Sequence, residues 1–176
     1  MNIQILTVKK TTGVCLTCAW DVFKLMRVEA LADREHLWVI HLNSESKVIE
    51  KELVAIGTPD SVPAICKLIF RKAVINNSSY IVMVHNHPSG PVKPSESDMK
   101  IHKVSIAAGS ILGIELLDSV ILGPSGYCST RLYEIFGFAP MAAINTPHSR
   151  GKNGADKSSL CPPQKSITTQ QLSLRF

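Results

Sequence analysis

With 176 residues, 45% of them hydrophobic, and a formal charge of +5, the chain can bury one sizeable core and is expected to be a single soluble domain. No apolar run approaches the roughly 20 residues of a membrane span, and Met1 to Lys10 lacks the basic start and long apolar stretch of a secretory leader; a cytoplasmic location is expected. Five cysteines, an odd number without framework spacing, fit reduced thiols and speak against a disulfide-stapled fold.

In chain order, a short strand is expected near Gly13 to Leu16 and a helix from Ala19 to Arg27, with Thr17 or Cys18 near its cap. Cys15-Leu16-Thr17-Cys18 has the spacing of a zinc or redox motif, but no second pair follows and no thioredoxin-like βαβ pattern surrounds it, so both read as incidental small core cysteines. Leu37 to Leu42 and Val48 to Ile56 are β-rich and joined by the polar turn Asn43 to Lys47, which predicts a hairpin. Asp60-Ser61-Val62-Pro63 predicts a helix with Pro in its first turn and a buried face of Ile65, Leu68, Ile69 and Ala73, ended by Asn76-Asn77-Ser78-Ser79. Tyr80 to Val84 reads as a buried strand, Ser95 to Leu112 as a helix, and Glu115 to Leu122 as another strand. Such alternation predicts an α/β fold with a mixed sheet sandwiched by helices.

From Ala139 to Phe176 the composition turns to Pro, Ser, Gly, Lys, Asn, Thr and Gln, which predicts a disordered tail. Arg150, Lys152, Lys157, Lys165 and Arg175 against Asp156 give it +4 of the formal +5. Such a sparse basic tail offers nucleic acid only weak phosphate contacts, and solvation of a disordered end is the simpler reading. The expected organisation is an N-terminal extension over 1–15, a folded domain over 16–138 and the tail over 139–176.

Chemistry concentrates in His85-Asn86-His87, followed by seven residues and then Ser95-x-x-Asp98. Residues two apart at a strand end point to one side, so the two imidazoles converge. Pro88, Ser89, Gly90, Pro91 and Pro94 forbid regular structure, and Asp98 then falls in the first turn of the next helix, where the helix dipole keeps a carboxylate ionised. Two nitrogens and one oxygen suit zinc, and three protein ligands leave one position open, the mark of a catalytic rather than a structural site. Simpler readings compete. A histidine ending a strand is commonly just hydrogen-bonded, and Ser95-x-x-Asp98 also has the form of a capping box, in which one oxygen of Asp98 caps while the other ligates. The tripeptide His-Asn-His does not reproduce the ββα spacing of HNH nucleases, and no Pro-Cys-x-x-Cys follows to complete a deaminase site.

His85-Asn86-His87-Pro88-Ser89-Gly90 and Pro94-Ser95-x-x-Asp98 resemble the signature of the RadC family of JAMM (MPN-plus) domains. The similarity extends from about Leu16 to Phe136, through Arg34-Glu35-His36-Leu37-Trp38-Val39-Ile40, Ile56-Gly57-Thr58 and Leu112-Gly113-Ile114-Glu115-Leu116-Leu117-Asp118. It implies a JAMM/cytidine-deaminase-like α/β/α domain and a zinc metallopeptidase or isopeptidase acting on a peptide or protein. Zinc would be held by His85, His87 and Asp98; Glu35 would be the general base and Ser95 the oxyanion stabiliser. Sequence alone would not choose Glu35 over Glu29, Glu45, Glu50 or Glu52. Asn86 points to the opposite strand face and is expected to brace the loop. Two departures stand out: only a short segment precedes the domain where longer RadC proteins carry a helix-hairpin-helix region, and Ser119 follows Asp118 where a histidine is common, so a substrate-side contact is expected to differ. Short forms are similar to RadC-like proteins of mobile elements and prophages. The alternative is a non-catalytic or DNA-associated accessory protein, related to DNA repair or mobile elements, with a structural zinc.

Overall fold

Asn43 makes the first turn: its Oδ1 accepts the backbone N–H groups of Glu45 and Lys47, both at 2.9 Å, so a side chain bridges the corner of a hairpin. The hairpin pairs β1 (His36–Leu42) with β2 (Val48–Ile56) in antiparallel register. The structure, a computed structural model, describes residues 12–88, 91–124 and 126–136. Its other elements are α1 (Ala19–Leu25), α2 (Cys66–Ile75), β3 (Tyr80–Asn86), α3 (Glu96–Leu112), β4 (Glu115–Gly123), β5 (Gly126–Ser129) and α4 (Thr130–Phe136), with a 3-10 turn at Glu29–Leu31. The strands form one mixed sheet in the order β2-β1-β3-β4-β5, with β3 and β4 parallel and the remaining neighbours antiparallel.

Strand parity divides the core. Trp38, Ile40, Leu42, Val82 and Val84 face Val22, Phe23 and Met26 of the α1 segment. Leu37, Val39, Ile81 and Met83 face Ile69, Phe70 and Ala73 of α2, with Ile101 and Ala108 of α3 beside them. The result is the expected mixed α/β sheet with helices on both faces. Since β1 and β3 are buried on both faces, they carry nearly continuous apolar runs, which gives their polar members special weight.

Three expectations need correction. The helix predicted from Asp60 begins only at Cys66. Val62 precedes Pro63, which disfavours helical backbone there, and the Thr58 hydroxyl accepts the Ser61 amide at 3.1 Å while the Thr58 amide donates to Ser61 O at 2.8 Å, closing a turn after which the chain runs without regular structure to Ile65. Only an isolated bridge, Cys15 to Lys47, replaces the first strand. Cys15 is an exposed free thiol and no core residue.

β5 and α4 have no counterpart among the elements expected from sequence. Asp118 gathers them by accepting the Ser129 hydroxyl at 2.6 Å, the Ser119 amide at 2.7 Å and the Arg131 amide at 3.1 Å, while the Ser129 hydroxyl accepts the Leu132 amide at 3.2 Å. Burial pushes the Asp118 carboxyl up to about 6 despite those donors. Gly113, at φ 70°, supplies the left-handed residue that ends α3. Among the described residues no helix is long and apolar enough to cross a membrane. The N-terminal residues 1–11 and the expected tail over 139–176 lie outside the described residues.

Candidate metal centre

His85 sits on the α2/α3 face of β3, and His87 follows on the same side where the strand pairing continues through a bond from its amide to Leu122 O at 2.8 Å. Their Nε2 atoms are 3.0 Å apart. Asp98 comes from the first turn of α3, placing Oδ1 at 3.3 Å from His85 Nε2 and Oδ2 at 3.7 Å from His87 Nε2. Donors about 2.0–2.1 Å from a tetrahedral zinc lie about 3.3 Å from one another, so these separations are near the edges of that tetrahedron. The three residues form the one His/Cys/Asp/Glu group among the described residues that could hold a metal ion.

The surrounding bonds prepare each donor. His87 Nδ1 lies 3.0 Å from Pro91 O, a carbonyl that can only accept, so Nδ1 carries the proton and Nε2 keeps its lone pair for a cation. Asp98 divides its work between its oxygens. Oδ2 accepts the Ser95 amide at 2.9 Å and the Ser95 hydroxyl at 2.6 Å in a full capping box, leaving Oδ1 toward His85. Burial opposes ionisation of Asp98, but the facing imidazoles of His85 and His87 outweigh it and hold the carboxyl far below the usual carboxylate range. Burial likewise works against charging His87, yet Asp98, the Pro91 carbonyl and Glu35 together raise its imidazole above the usual histidine range. A carboxylate this acidic facing two converging nitrogens is a field that favours a cation.

Glu35 lies one residue before β1. Leu37 pairs with His85, so continuing that antiparallel register two residues outward brings Glu35 opposite His87, and its Oε1 is 3.9 Å from His87 Nε2. Burial raises the Glu35 carboxyl above the usual range, against the pull of His85 and His87. The other four glutamates left open by the sequence are engaged elsewhere: Glu29 with Lys51, Glu45 with Lys47, Glu50 with Lys72, and Glu52 with His41 and Arg71.

Sequence reasoning missed two supports of Glu35. Its amide donates to Thr58 O at 2.8 Å and its carbonyl accepts from Gly57 at 2.7 Å, so the Gly57-Thr58 step clamps it. A Cβ on Gly57 would lie 1.9 Å from Ser61 O, which is why glycine stands there. The second support is Asn86, fully buried on the opposite face of β3. Its Oδ1 accepts the His36 amide at 2.8 Å, and its Nδ2 donates to Arg34 O at 3.0 Å and Ala32 O at 3.3 Å. Asn86 therefore braces the segment carrying Glu35 rather than its own loop. Ser119 is also relocated: it is 3% exposed, with its hydroxyl 2.8 Å from His102 Nδ1 inside the α3 face, and is no substrate-side contact.

Glu35, His87, Ser95 and Asp98 open into a cleft of about 700 Å³ whose walls are the irregular run from Pro59 to Ile65 and the α3 face bearing Ser97, Ile101 and Val104.

A RadC-like JAB domain model matches residues 16–134. Among curated proteins, the chain is 37% identical over 117 residues to a UPF0758 protein of Pelodictyon phaeoclathratiforme and 39% identical over 117 residues to one of Chlorobium chlorochromatii, in each case 66% of this chain and 53% of the relative. A UPF0758 protein of Chlorobaculum tepidum is 37% identical over 114 residues, 64% of this chain and 51% of the relative. The chain thus spans about half the length of the curated relatives it matches. The domain match covers both the histidine pair and the Ser-x-x-Asp helix start as well as Glu35, and the chain belongs to the RadC family.

Proposed function

We propose that the chain is a zinc-dependent amide hydrolase, a metallopeptidase or isopeptidase, with His85, His87 and Asp98 as ligands, Glu35 as general base and Ser95 as oxyanion donor. One observation carries the reading: a buried carboxylate of raised pKa stands beside a three-donor cluster at the mouth of an open cleft. A purely structural zinc has no use for such a group, and three protein donors leave one position for water or substrate.

Bound zinc would supply Lewis acidity and make a water in the open position easier to deprotonate. Glu35, destabilised as an anion by burial, would accept a proton from the attacking water and deliver it to the leaving nitrogen. The Glu35 backbone is held on both sides, by Thr58 and Gly57 directly and by Asn86 through the neighbouring His36 amide and Arg34 carbonyl. Ser95 lines the cleft, and its hydroxyl can turn from Asp98 Oδ2 toward a developing oxyanion while its amide keeps the cap.

The test combines metal analysis with an unbiased peptide-library cleavage assay on the wild type and Glu35→Gln. Zinc-dependent cleavage is expected, with Glu35→Gln retaining zinc and losing roughly two to four orders of magnitude in turnover. Full activity in that variant, or loss of its metal, would contradict the assigned role.

A further inference from the structure

We infer that the cleft receives an extended, uncharged peptide segment and seats an aliphatic side chain in its section lined by Val62, Ala64, Ile65, Ile101 and Val104. This rests on the hydrolase reading and names the substrate class it would take. The continuity is geometric. Ser97, Ile101 and Val104 follow one another along one helical face, on the helix whose first turn carries Asp98, and all three line the cavity that also contains His87 and Glu35. At about 1.5 Å per residue, the six steps from Asp98 to Val104 carry the cleft about 9 Å from the metal centre. An extended chain covers that distance in about three residues.

Chemistry changes along this length. At the metal end the lining is carboxylate, imidazole and hydroxyl, but beyond it Val62, Ala64 and Ile101 form an apolar floor that packs onto the core beneath β1 and β3. Ile65 and Val104 rise from that floor half exposed, at 50% and 48%. Outside the metal centre, the charged side chains in the lining are Asp60 and Lys100, one of each sign and both exposed, so the section gives no net charge to select a charged residue. An apolar floor joined to a site with a few convergent polar groups is the composition of a side-chain pocket. The irregular run from Pro59 makes the opposite wall because the helix starts late, at Cys66.

The test is a methyl NMR titration of the full chain, zinc-free and zinc-loaded, with N-acetyl-leucine, N-acetyl-aspartate and N-acetyl-lysine methylamides. The leucine amide is expected to shift the Ile65, Ile101 and Val104 methyls at about tenfold lower concentration than the charged amides, the effect of burying one aliphatic side chain in a partly open site. An Ile65→Asp, Val104→Asp double variant should lose that difference. Ile111→Asp, on the same helix but outside the cleft and with Ile111 86% exposed, should keep it. Equal responses to the three amides, no response at these methyls, or an unaltered preference in the double variant would overturn the inference. Failure to take up zinc would refute the hydrolase reading alone, since the zinc-free titration still decides the cleft.

Discussion

Replacing Asn86 by Ala separates positioning of the proposed base from holding of the proposed metal. Asn86 is fully buried and uses its oxygen and both amide hydrogens on His36, Arg34 and Ala32, at 2.8, 3.0 and 3.3 Å. Each such bond contributes about 1 kcal/mol net, and a partner left dry costs about 1–3 kcal/mol. Arg34 is exposed and can recover water, whereas the His36 amide sits deeper, so the expected loss is about 2–4 kcal/mol. For a domain of this size that is a fall in Tm of roughly 8–14 °C, large against a typical total of about 5–15 kcal/mol but short of unfolding it. Zinc stoichiometry should persist, because the backbones of His85 and His87 are fixed by β1 and β4 rather than by Asn86. Turnover should fall at least about tenfold as Glu35 loses its anchor. Thermal unfolding with metal analysis decides it. A Tm within about 2 °C of wild type would refute the brace, and loss of zinc with retained Tm would show that Asn86 serves the ligands instead.

Protein purified without chelator should carry about one zinc per chain, and the His85→Ala, His87→Ala double variant should carry none; full occupancy in that variant, read by elemental analysis, would sink the site. Gly57→Ala should cost about 1–3 kcal/mol in chemical denaturation, since its Cβ would collide with Ser61 O at 1.9 Å and something must shift, and it should impair turnover more than zinc content. Burial lowers the His102 imidazole, with Glu134 pulling it up and Arg131 and Lys103 pushing it further down. A histidine whose folded pKa lies below its unfolded value of about 6.5 gives stability that is complete above that value and is lost as pH falls through it. Denaturation between pH 7.5 and 5 should therefore show His102→Gln, which still offers Ser119 a partner, with a shallower acid loss, by up to about 1.4 kcal/mol per pH unit. Parallel curves for the two proteins would contradict it.

Local rules made the candidate metal-binding cluster legible from the sequence. Side chains two apart on a strand share a face, and a carboxylate in a Ser-capped first turn is held ionised, so His85, His87 and Asp98 needed only the neighbouring strand and helix to be recognised. The hairpin and the limits of α3 were equally local, set by Asn43, Ser95 and Gly113. Glu35 was different. It lies 50 residues before His85, and only the β1–β3 register and the Gly57-Thr58 clamp distinguish it from glutamates that end in ion pairs; resemblance pointed to it, but no periodicity could. The late start of α2 followed from a Thr58-Ser61 turn competing with helix propensity, and that competition opened the cleft. Likewise Asn86 and Ser119 look like ordinary polar interruptions in sequence, and their partners at Arg34 and His102 come from other elements. Sequence fixes which groups exist and which way each element presents them; long-range pairing alone decides which of them meet, because hydrogen-bond register and burial are properties of the assembled sheet and not of any one segment.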